Sequence, residues 1–499
     1  MSTRRGVLVS AASLTLVAVL VVVLWIVRED APDSPSSLPR PSTSTGSTPT
    51  GPTTTGTTVA EPARPGSSGV GDRYYPELGN GGYDVAHYTL DISWRPDDGR
   101  IEGRTTIDAT ATQSLSRFNL DLSGLDVTSV VVDDEPAEVS RRGHEVAVTP
   151  RTPLAEGQGF STVVTYGGRP EADEYIAGLG PLGWVTAGRA SYVIGEPAGA
   201  ATFFPSNNHP SDKAGYEFKI TVPTGFEVAA NGRLATERAA PDGDTATWIY
   251  EAPDPMATYL VQVAIGDFTF EESIGPGGLL VRNVFSTELA AEASPIFALQ
   301  GEMIEVFEDL FGPFPFDVYG ALVVKADLGL ALECQTLSIF GTGILGGGSN
   351  AESIIAHELA HQWFGDSVGL NRWQDVWLNE GFATYGEWVW REHQGDGTIA
   401  DIARQFAEPS PALDRPPTDP GATNPFTPSI YKRGALTLQA LRETVGETDF
   451  AAILSGWAER YRFATATTTD FIDLSEEVSG EQLDSLFDAW LFQEGLPDL

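Results

Sequence analysis

Three side chains in the second half of the chain have the types and spacing that bind a metal ion and activate water. His357 and His361 lie four residues apart, and Glu358 follows the first of them. Ser349 and Glu352 have capping-box spacing, which predicts a helix that begins near Ser349 and carries both histidines. Residues four apart share one helix face, so both imidazoles could bind one Zn2+, with Glu358 beside them as a base for metal-activated water. The alternative interpretation is an ordinary amphipathic helix.

Glu380 is the candidate for the third ligand that a catalytic zinc site needs. Residues 362–379 separate it from His361. This interval leaves room for the helix to end, for the chain to turn at Gly365 or Gly369, and for a second helix to return antiparallel. Two histidines, one glutamate and an open fourth position suit hydrolysis.

The composition excludes several classes of partner. The 499 residues include 30 basic and 69 acidic side chains, which give a formal net charge of -39. Hydrophobic residues make up 41% of the chain. Such an acidic balance repels nucleic acid and anionic membrane surfaces, so we expect no nucleic-acid partner. A chain of this length can bury more than one core, which favours two domains. The sole cysteine, Cys334, excludes an intrachain disulfide.

The N-terminal segment has the properties of a membrane anchor. Residues 7–27 contain no charged side chain, Arg4 and Arg5 precede them, and Arg28 follows. A helix of this length spans about 30 Å, the thickness of the hydrocarbon core of a bilayer. We therefore predict a cytoplasmic tail at 1–6, a transmembrane helix or uncleaved signal anchor at 7–27, and a single-pass protein of the cell membrane with its catalytic part outside. Secretion after signal cleavage is the alternative.

Composition and periodicity divide the rest of the chain into three segments. Residues 28–72 are rich in Pro, Ser, Thr and Gly, which predicts a disordered linker. Residues 73–277 contain short alternating runs such as Tyr88–Trp94, which predict a β-rich domain. Residues 278–499 show longer helical periods, including a predicted amphipathic helix at Ala298–Leu310.

The sequence around the third ligand strengthens the metal interpretation. His357-Glu358-x-x-His361, followed by Trp377–Ala383 around Glu380, resembles the aminopeptidase N family of zinc metallopeptidases, the gluzincins. The resemblance implies a multidomain α+β chain, in which a β-rich, sandwich-like domain precedes a thermolysin-like, mainly helical peptidase domain. It also implies one Zn2+ per chain, bound by His357, His361 and Glu380, with Glu358 as the general base.

Three further residues match positions that this family uses for substrate. Tyr431 matches the tyrosine that stabilises the oxyanion. Glu333 occupies the place of the glutamate that binds the free amine of the substrate, although Cys334 replaces an amide side chain next to it. Glu196 matches a second acidic anchor in the β-rich part. The resemblance thus implies zinc-dependent hydrolysis of N-terminal residues from peptides with a free N-terminus.

Other interpretations keep the zinc site but change the reaction, or lose the reaction altogether. The alternatives are a zinc endopeptidase or other gluzincin-type hydrolase, and a catalytically inactive binding protein at the cell surface. Glu333 favours the aminopeptidase, because an acid fixed at the amine site has no role without a free amine. The intact Glu358 and Tyr431 argue against an inactive protein.

The remaining polar candidates have less specific signals. Asp375 and Asn379 flank the third ligand and are candidates for orienting the site. The histidines outside the motif are interpreted as structural, and the large aromatic side chains near the third ligand are interpreted as core. These are His87, His144, His209 and His393, and Trp373, Trp377, Trp388 and Trp390.

Overall fold

The computed structural model describes residues 62–172, 180–408, 410–421 and 424–499. The predicted cytoplasmic tail, the predicted transmembrane helix at 7–27 and most of the predicted linker lie outside these ranges. Of the helices within them, none is both long enough and apolar enough to span a bilayer.

An eight-stranded sheet forms the centre of the β-rich part. In the strand Tyr83–Arg95, Leu90 and Ile92 are buried whereas Asp91 and Ser93 are exposed, which confirms the predicted alternation. Neighbouring strands are antiparallel except Tyr83–Arg95 and Lys213–Pro223, which run parallel. From edge to edge the strands are Arg233–Ala239, Thr245–Ala257, Lys213–Pro223, Tyr83–Arg95, Arg100–Ala111, Gly159–Gly168, Asp126–Val132 and Glu135–Pro136.

Two four-stranded sheets pack beside this central sheet. The order in the first is Arg64–Pro65, Leu115–Asp121, Glu145–Thr149 and Glu138–Arg142, and in the second Gly183–Ala187, Ala190–Ile194, Val263–Gly266 and Glu227–Ala230. The short 3-10 helix Gly199–Thr202 follows the strand Ala190–Ile194 of the second sheet, and the 3-10 helix Thr258–Leu260 precedes its strand Val263–Gly266.

The structure differs from the predicted linker at its C-terminal end. Arg64–Pro65 pairs in parallel with the strand Leu115–Asp121. The carboxylate of Asp72 is buried and accepts hydrogen bonds from the backbone amides of Tyr74 (2.7 Å) and Trp373 (2.9 Å). Backbone pairing and one buried carboxylate hold this segment, and neither leaves an apolar pattern in the sequence.

A six-stranded sheet follows the β-rich part. Its strands are Phe268–Ile274, Leu280–Ser286, Ala321–Val323, Ser338–Phe340 and Ala331–Leu332 in spatial order, with Val318–Tyr319 paired to the second of them. The predicted domain boundary near residue 277 falls in the turn between the first two strands. The buried strand Ala321–Val323 lies at the centre of this sheet.

Helices dominate the remainder of the described chain. The α-helices are Ala290–Ala293, Gln300–Phe311, Gly348–Ala360, Trp377–His393, Ile399–Phe406, Pro411–Asp414, Gly434–Val445, Glu447–Arg460, Thr468–Ser479 and Asp484–Phe487. Two π-helical turns, Ser429–Arg433 and Asp488–Phe492, and a two-stranded pairing of Gly369–Leu370 with Thr465–Ala466 complete this part. The four tryptophans predicted to lie in the core are at most 1% exposed, which confirms that interpretation.

The helix that carries the two histidines begins without the predicted capping box. It runs from Gly348 to Ala360, and its N-cap, Gly347, provides no side-chain hydrogen bond. Gly347 and Gly348 both have left-handed backbone angles, with φ of 60° and 72°, so the chain turns sharply into the helix at these two glycines. Glu352 instead accepts a hydrogen bond from Nε1 of Trp390 (3.4 Å) on the neighbouring helix.

Candidate metal centre and active site

Two helices, α1 (Gly348–Ala360) and α2 (Trp377–His393), bring the predicted metal ligands together. The contacts between them run in opposite order along the two helices. His357 contacts Glu380 and Glu387, whereas Glu352, earlier on α1, contacts Trp390, later on α2. The helices are therefore antiparallel, as predicted. They approach closely because Gly386 has no side chain, and a Cβ there would lie 2.7 Å from the Cβ of Ala360.

His357, His361 and Glu380 present one ligand atom each to a common point. Their ligand atoms all lie within 4.8 Å of one another. Oε2 of Glu380 lies 3.1 Å from Nε2 of His357 and 3.4 Å from Nε2 of His361. A tetrahedral zinc ion with bonds of about 2 Å has ligands about 3.3 Å apart, so this spacing fits Zn2+. The donor set of two imidazoles and one carboxylate fits it as well.

The other nitrogen of each imidazole is held by a separate partner. Nδ1 of His357 lies 2.8 Å from Oε1 of Glu387. Nδ1 of His361 donates to the backbone oxygen of Phe364 at 3.0 Å. A proton on Nδ1 leaves the Nε2 lone pair of each ring directed at Glu380, which is the arrangement that a metal ligand requires.

Sequence reasoning missed Glu387, although a signal for it exists. Glu387 lies seven residues after Glu380, two helical turns along the same face of α2. Asp375 and Asn379, which were the sequence candidates for orienting the site, have other partners. Asp375 accepts hydrogen bonds from Arg372 and Thr468, and Asn379 donates to the hydroxyl of Tyr259 at 3.2 Å.

The triad concentrates opposite charges in a buried space. Burial would raise the pKa of Glu380, but the neighbouring imidazoles outweigh burial and hold that pKa at about 2. Burial would lower the pKa of His357, but its hydrogen bonds to Glu380 and Glu387 raise that pKa well above its usual value. The ligand carboxylate is thus ionised over the whole physiological range.

Glu358 lies beside the triad in a position to accept a proton. It is only 6% exposed, and burial raises its pKa to about 8 against the opposing effect of both histidines. Glu333, Glu358 and His361 also offer ligand atoms within 4.8 Å of one another. A divalent cation on the triad would favour the ionised form of Glu358, because opposite charges at this distance attract strongly in a buried site.

Glu333 and Glu196 lie close enough to the triad for their charges to interact with that of Glu380. Glu333 follows the short strand Ala331–Leu332, and Nε2 of Gln362 donates to its backbone oxygen at 2.8 Å. Oε1 of Glu333 and Oε1 of Glu196 are buried without a hydrogen-bond partner among the described residues. Burial, and then the charge of Glu333, raise the pKa of Glu196 well above its usual value.

Tyr431 is held against the first histidine by an unusual turn. It lies in the π-helical turn Ser429–Arg433, which leads into the helix α3 (Gly434–Val445). Its ring centroid is 6.0 Å from that of His357. The start of α3 can reach α2 because Gly381 and Gly434 face each other: a Cβ on either glycine would lie 2.9 Å from the backbone of the other.

Two further buried groups near the site had no signal in the sequence analysis. Both carboxylate oxygens of Asp366 are buried without a hydrogen-bond partner in the described part of the chain. Nζ of Lys213 donates to the backbone oxygens of Asp366 (2.7 Å) and Ser367 (2.8 Å), and burial lowers the pKa of this lysine to about 7. Lys213 lies more than a hundred residues away in sequence, so no local pattern could pair it with the site.

Family models match the two parts of the chain separately. Residues 85–260 match the peptidase M1 N-terminal domain, and residues 297–490 match the peptidase family M1 domain. A crystal structure of an M1 zinc metallopeptidase from Deinococcus radiodurans, as a mutant bound to a Tyr-Ser-Ala substrate, superposes with a TM-score of 0.80. The two chains are 32% identical, and the match covers 86% of this chain and 99% of that one.

Named aminopeptidases match at lower identity. Aminopeptidase 2 of Candida albicans is 24% identical over 441 residues, which are 82% of this chain and 47% of the relative. Probable aminopeptidase 2 of Sulfurisphaera tokodaii is 28% identical over 335 residues, which are 62% of this chain and 42% of the relative. The chain thus spans less than half the length of these two curated relatives.

The fold and the triad together define a two-domain zinc metallopeptidase, with an N-terminal β-rich domain and a helical catalytic domain. The chain belongs to peptidase family M1. This membership confirms the resemblance that the motif around Glu380 indicated. It also confirms Zn2+ as the cofactor, because His357, His361 and Glu380 form a possible site for the metal of this family.

Proposed function

We propose that this protein is a zinc-dependent aminopeptidase, which hydrolyses N-terminal residues from peptides. The observation that carries the proposal is the pair of carboxylates beside the metal triad, Glu333 and Glu196, each with a buried oxygen that lacks a partner among the described residues. Burial is the largest cause that raises the pKa of both side chains, so a nearby positive charge would favour their ionised forms. The ammonium group of a substrate would supply it.

The residues of the site divide the reaction between them. When bound by His357, His361 and Glu380, Zn2+ supplies Lewis acidity, which activates water and polarises the scissile carbonyl. Glu358 accepts the proton of the attacking water and passes it to the leaving amine. The hydroxyl of Tyr431 donates a hydrogen bond to the oxygen on which negative charge develops.

The relatives support this direction of cleavage. The Deinococcus metallopeptidase was crystallised with a short peptide substrate, and the curated relatives are named aminopeptidases. An endopeptidase would need to accommodate an uncharged amide at the two carboxylates, which would leave both of them unpaired.

A panel of fluorogenic aminoacyl amides, each compared with its N-acetylated form, tests the proposal. We expect rapid release from the free-amine forms, little from the acetylated forms, and loss of both on chelation. Equal rates for blocked and free substrates would favour the endopeptidase alternative. No turnover by zinc-loaded protein on any of them would favour the inactive binding protein.

We further propose that the protein is anchored in the cell membrane with its catalytic part outside. The uncharged stretch at 7–27, with Arg4 and Arg5 before it, supports this location. Full-length protein should then fractionate with membranes at high salt, whereas a version that begins near residue 62 should not. A native N-terminus located beyond Arg28 would instead indicate a secreted enzyme.

A further inference from the structure

Asp121 and Glu145 form an unusual pair in the first four-stranded sheet. Asp121 ends the strand Leu115–Asp121, Glu145 begins the strand Glu145–Thr149, and the two are directly opposed partners in the antiparallel ladder. Like charges at directly opposed positions destabilise a sheet. His144 precedes Glu145, and the three side chains offer ligand atoms that all lie within 4.8 Å of one another.

Three of the four carboxylate oxygens of this pair are buried without a hydrogen-bond partner among the described residues. Asp121 is 0% exposed; its Oδ2 accepts hydrogen bonds from Nδ2 of Asn80 (2.9 Å) and the backbone amide of Asn208 (3.0 Å). Oδ1 of Asp121 and both carboxylate oxygens of Glu145 are inaccessible to solvent and accept no hydrogen bond from the described residues. Buried acceptors without partners are costly, so a group that could neutralise them is favoured.

The imidazole of His144 and a backbone oxygen lie next to this pair of carboxylates. Nε2 of His144 lies 4.0 Å from Oε1 of Glu145 and 3.3 Å from the backbone oxygen of Glu77. A cavity of about 60 Å3 adjoins the cluster, and its lining includes Asp121 and His144 but not Glu145. A water molecule occupies about 30 Å3 in the liquid, so the cavity has room for water that would complete a coordination shell.

We propose that Asp121, His144 and Glu145 form a second cation site, which binds a divalent first-row transition ion such as Mn2+ or Zn2+. A set of two carboxylates and one imidazole suits these ions, because carboxylates favour Mn2+ and imidazole favours Zn2+ over Ca2+ or Mg2+. The site lies outside the metal triad, shares no residue with it, and gives His144 a role beyond the structural one that the sequence suggested.

The bound ion would brace the segment that carries Glu196. The backbone amide of Asn208 donates to Asp121, and Nδ2 of Asn208 donates to the backbone oxygen of Ala198 at 2.9 Å, two residues after Glu196. The backbone amide of Ser123 donates to the backbone oxygen of Ala201 at 2.7 Å. The ion therefore connects two strands of the β-rich part to the loop at the candidate active site.

Calorimetric titration of zinc-loaded full-length protein with Mn2+, followed by metal analysis, tests the site. We expect about one Mn2+ per chain in addition to the retained zinc, because each such site holds one ion. Asp121→Asn and Glu145→Gln should each weaken Mn2+ binding by about tenfold or more while the zinc content stays unchanged. The midpoint of thermal unfolding should rise with Mn2+ in the wild type but not in these two variants.

Asp212→Asn provides the matched control. Asp212 is another buried carboxylate of the β-rich part, with a pKa raised by burial to about 8, but Nδ2 of Asn207 donates to it at 2.6 Å and it lies outside the cluster. Mn2+ binding should survive in this variant. If Asp121→Asn fails to fold, His144→Ala replaces it, because the side chain of His144 is 33% exposed.

Three outcomes would overturn the proposal. The first is a wild type that binds no Mn2+ at millimolar concentration. The second is binding that persists unchanged in the Asp121 and Glu145 variants, which would place the ion elsewhere on this acidic chain. The third is equal loss in Asp212→Asn, which would reflect the general effect of removing a buried carboxylate.

Discussion

At the scale of single residues, the carboxylates around the metal triad differ in role because they differ in partners. Glu380 contacts both imidazoles of the triad, and Glu387 contacts one of them. Glu358 and Glu333 form no hydrogen bond with either imidazole. A carboxylate with a ligand position should therefore control metal content, and one without such a position should control turnover or substrate binding. This distinction makes the individual substitutions informative.

Glu358→Gln should retain zinc and lose turnover. The amide cannot accept the proton of the attacking water, so we expect kcat to fall by about 10²–10⁴. Zinc content, measured by metal analysis after dialysis, should stay near that of the wild type. Glu380→Ala is the contrasting variant, because removal of a ligand should lower both zinc content and rate. Loss of zinc in Glu358→Gln would mean that Glu358 helps to bind the metal.

Glu387→Gln should weaken zinc binding rather than catalysis at saturating zinc. Oε1 of Glu387 lies 2.8 Å from Nδ1 of His357, and such partners orient metal ligands and increase their basicity. We expect zinc affinity to fall by about 10- to 100-fold in competition with a chelator. Glu352→Gln is the control, since Glu352 lies on α1 but contacts Trp390. Equal zinc affinity in both variants would show that Glu387 does not contribute to metal binding.

Glu333→Ala should weaken cleavage of free-amine substrates selectively. If Glu333 binds the substrate ammonium, its loss should reduce kcat/KM by the equivalent of about 2–4 kcal/mol of transition-state binding. Zinc content and the slow cleavage of N-acetylated substrates should change little. A variant that loses activity equally on both kinds of substrate would show that Glu333 acts elsewhere in the reaction.

At the scale of elements, Arg433 holds the turn that presents Tyr431. It is 0% exposed, its Nε donates to the backbone oxygen of Trp490 (2.8 Å), and its other nitrogens reach the backbone oxygens of Leu413, Asp414, Ala489 and Gln493. A guanidinium presents five donors in a fixed plane, which a lysine cannot replace. The turn Ser429–Arg433 is thus fastened to the C-terminal end of the described chain.

Arg433→Lys should therefore lower both stability and kcat. Buried backbone oxygens would lose their donors, so we expect the free energy of unfolding to fall by about 2–4 kcal/mol in chemical denaturation. Zinc content should remain, because the triad lies on α1 and α2. Arg404→Lys is the control, as Arg404 is exposed and pairs with Asp401 on its own helix. An unchanged kcat would show that the hydrogen bonds of Arg433 do not control the position of Tyr431.

Sequence patterns predicted the elements of the site better than their caps and their long-range partners. Spacing of two histidines on one helix and of Glu380 on the next predicted the antiparallel pair correctly, because 3.6-residue periodicity is a local property. The helix α1 begins one residue before Ser349, close to the predicted start, but the predicted capping box is absent because Gly347 and Gly348 turn the chain there. Lys213 and Arg433 act through backbone oxygens far away in sequence, and such contacts leave no local pattern.

At the scale of the whole molecule, Asp72 connects the N-terminal end of the described chain to the β-rich and helical parts. Its Oδ2 accepts a hydrogen bond from the backbone amide of Trp373 and lies 3.4 Å from Nε2 of His209. Burial would raise the pKa of Asp72, but these contacts and the backbone amides of Tyr74 and Tyr75 outweigh it and lower the pKa to about 2. This carboxylate is therefore ionised whenever the protein is folded near neutral pH.

Asp72→Asn should destabilise the protein at neutral pH but not at strongly acidic pH. Because the pKa of Asp72 is about 2 in the folded state and 3.8 as its ordinary value, ionisation contributes about 2 kcal/mol of stability above pH 5. A depressed pKa loses its contribution as pH falls, so about half should be gone by pH 3 and most of it by pH 2. The check is chemical denaturation of wild type and variant at pH 7, 4 and 3, with the exposed Asp97→Asn as a control that should change stability by less than about 0.5 kcal/mol. A difference between wild type and Asp72→Asn that stays constant from pH 7 to pH 3 would mean that the side chain acts through its shape and hydrogen bonds rather than through its charge.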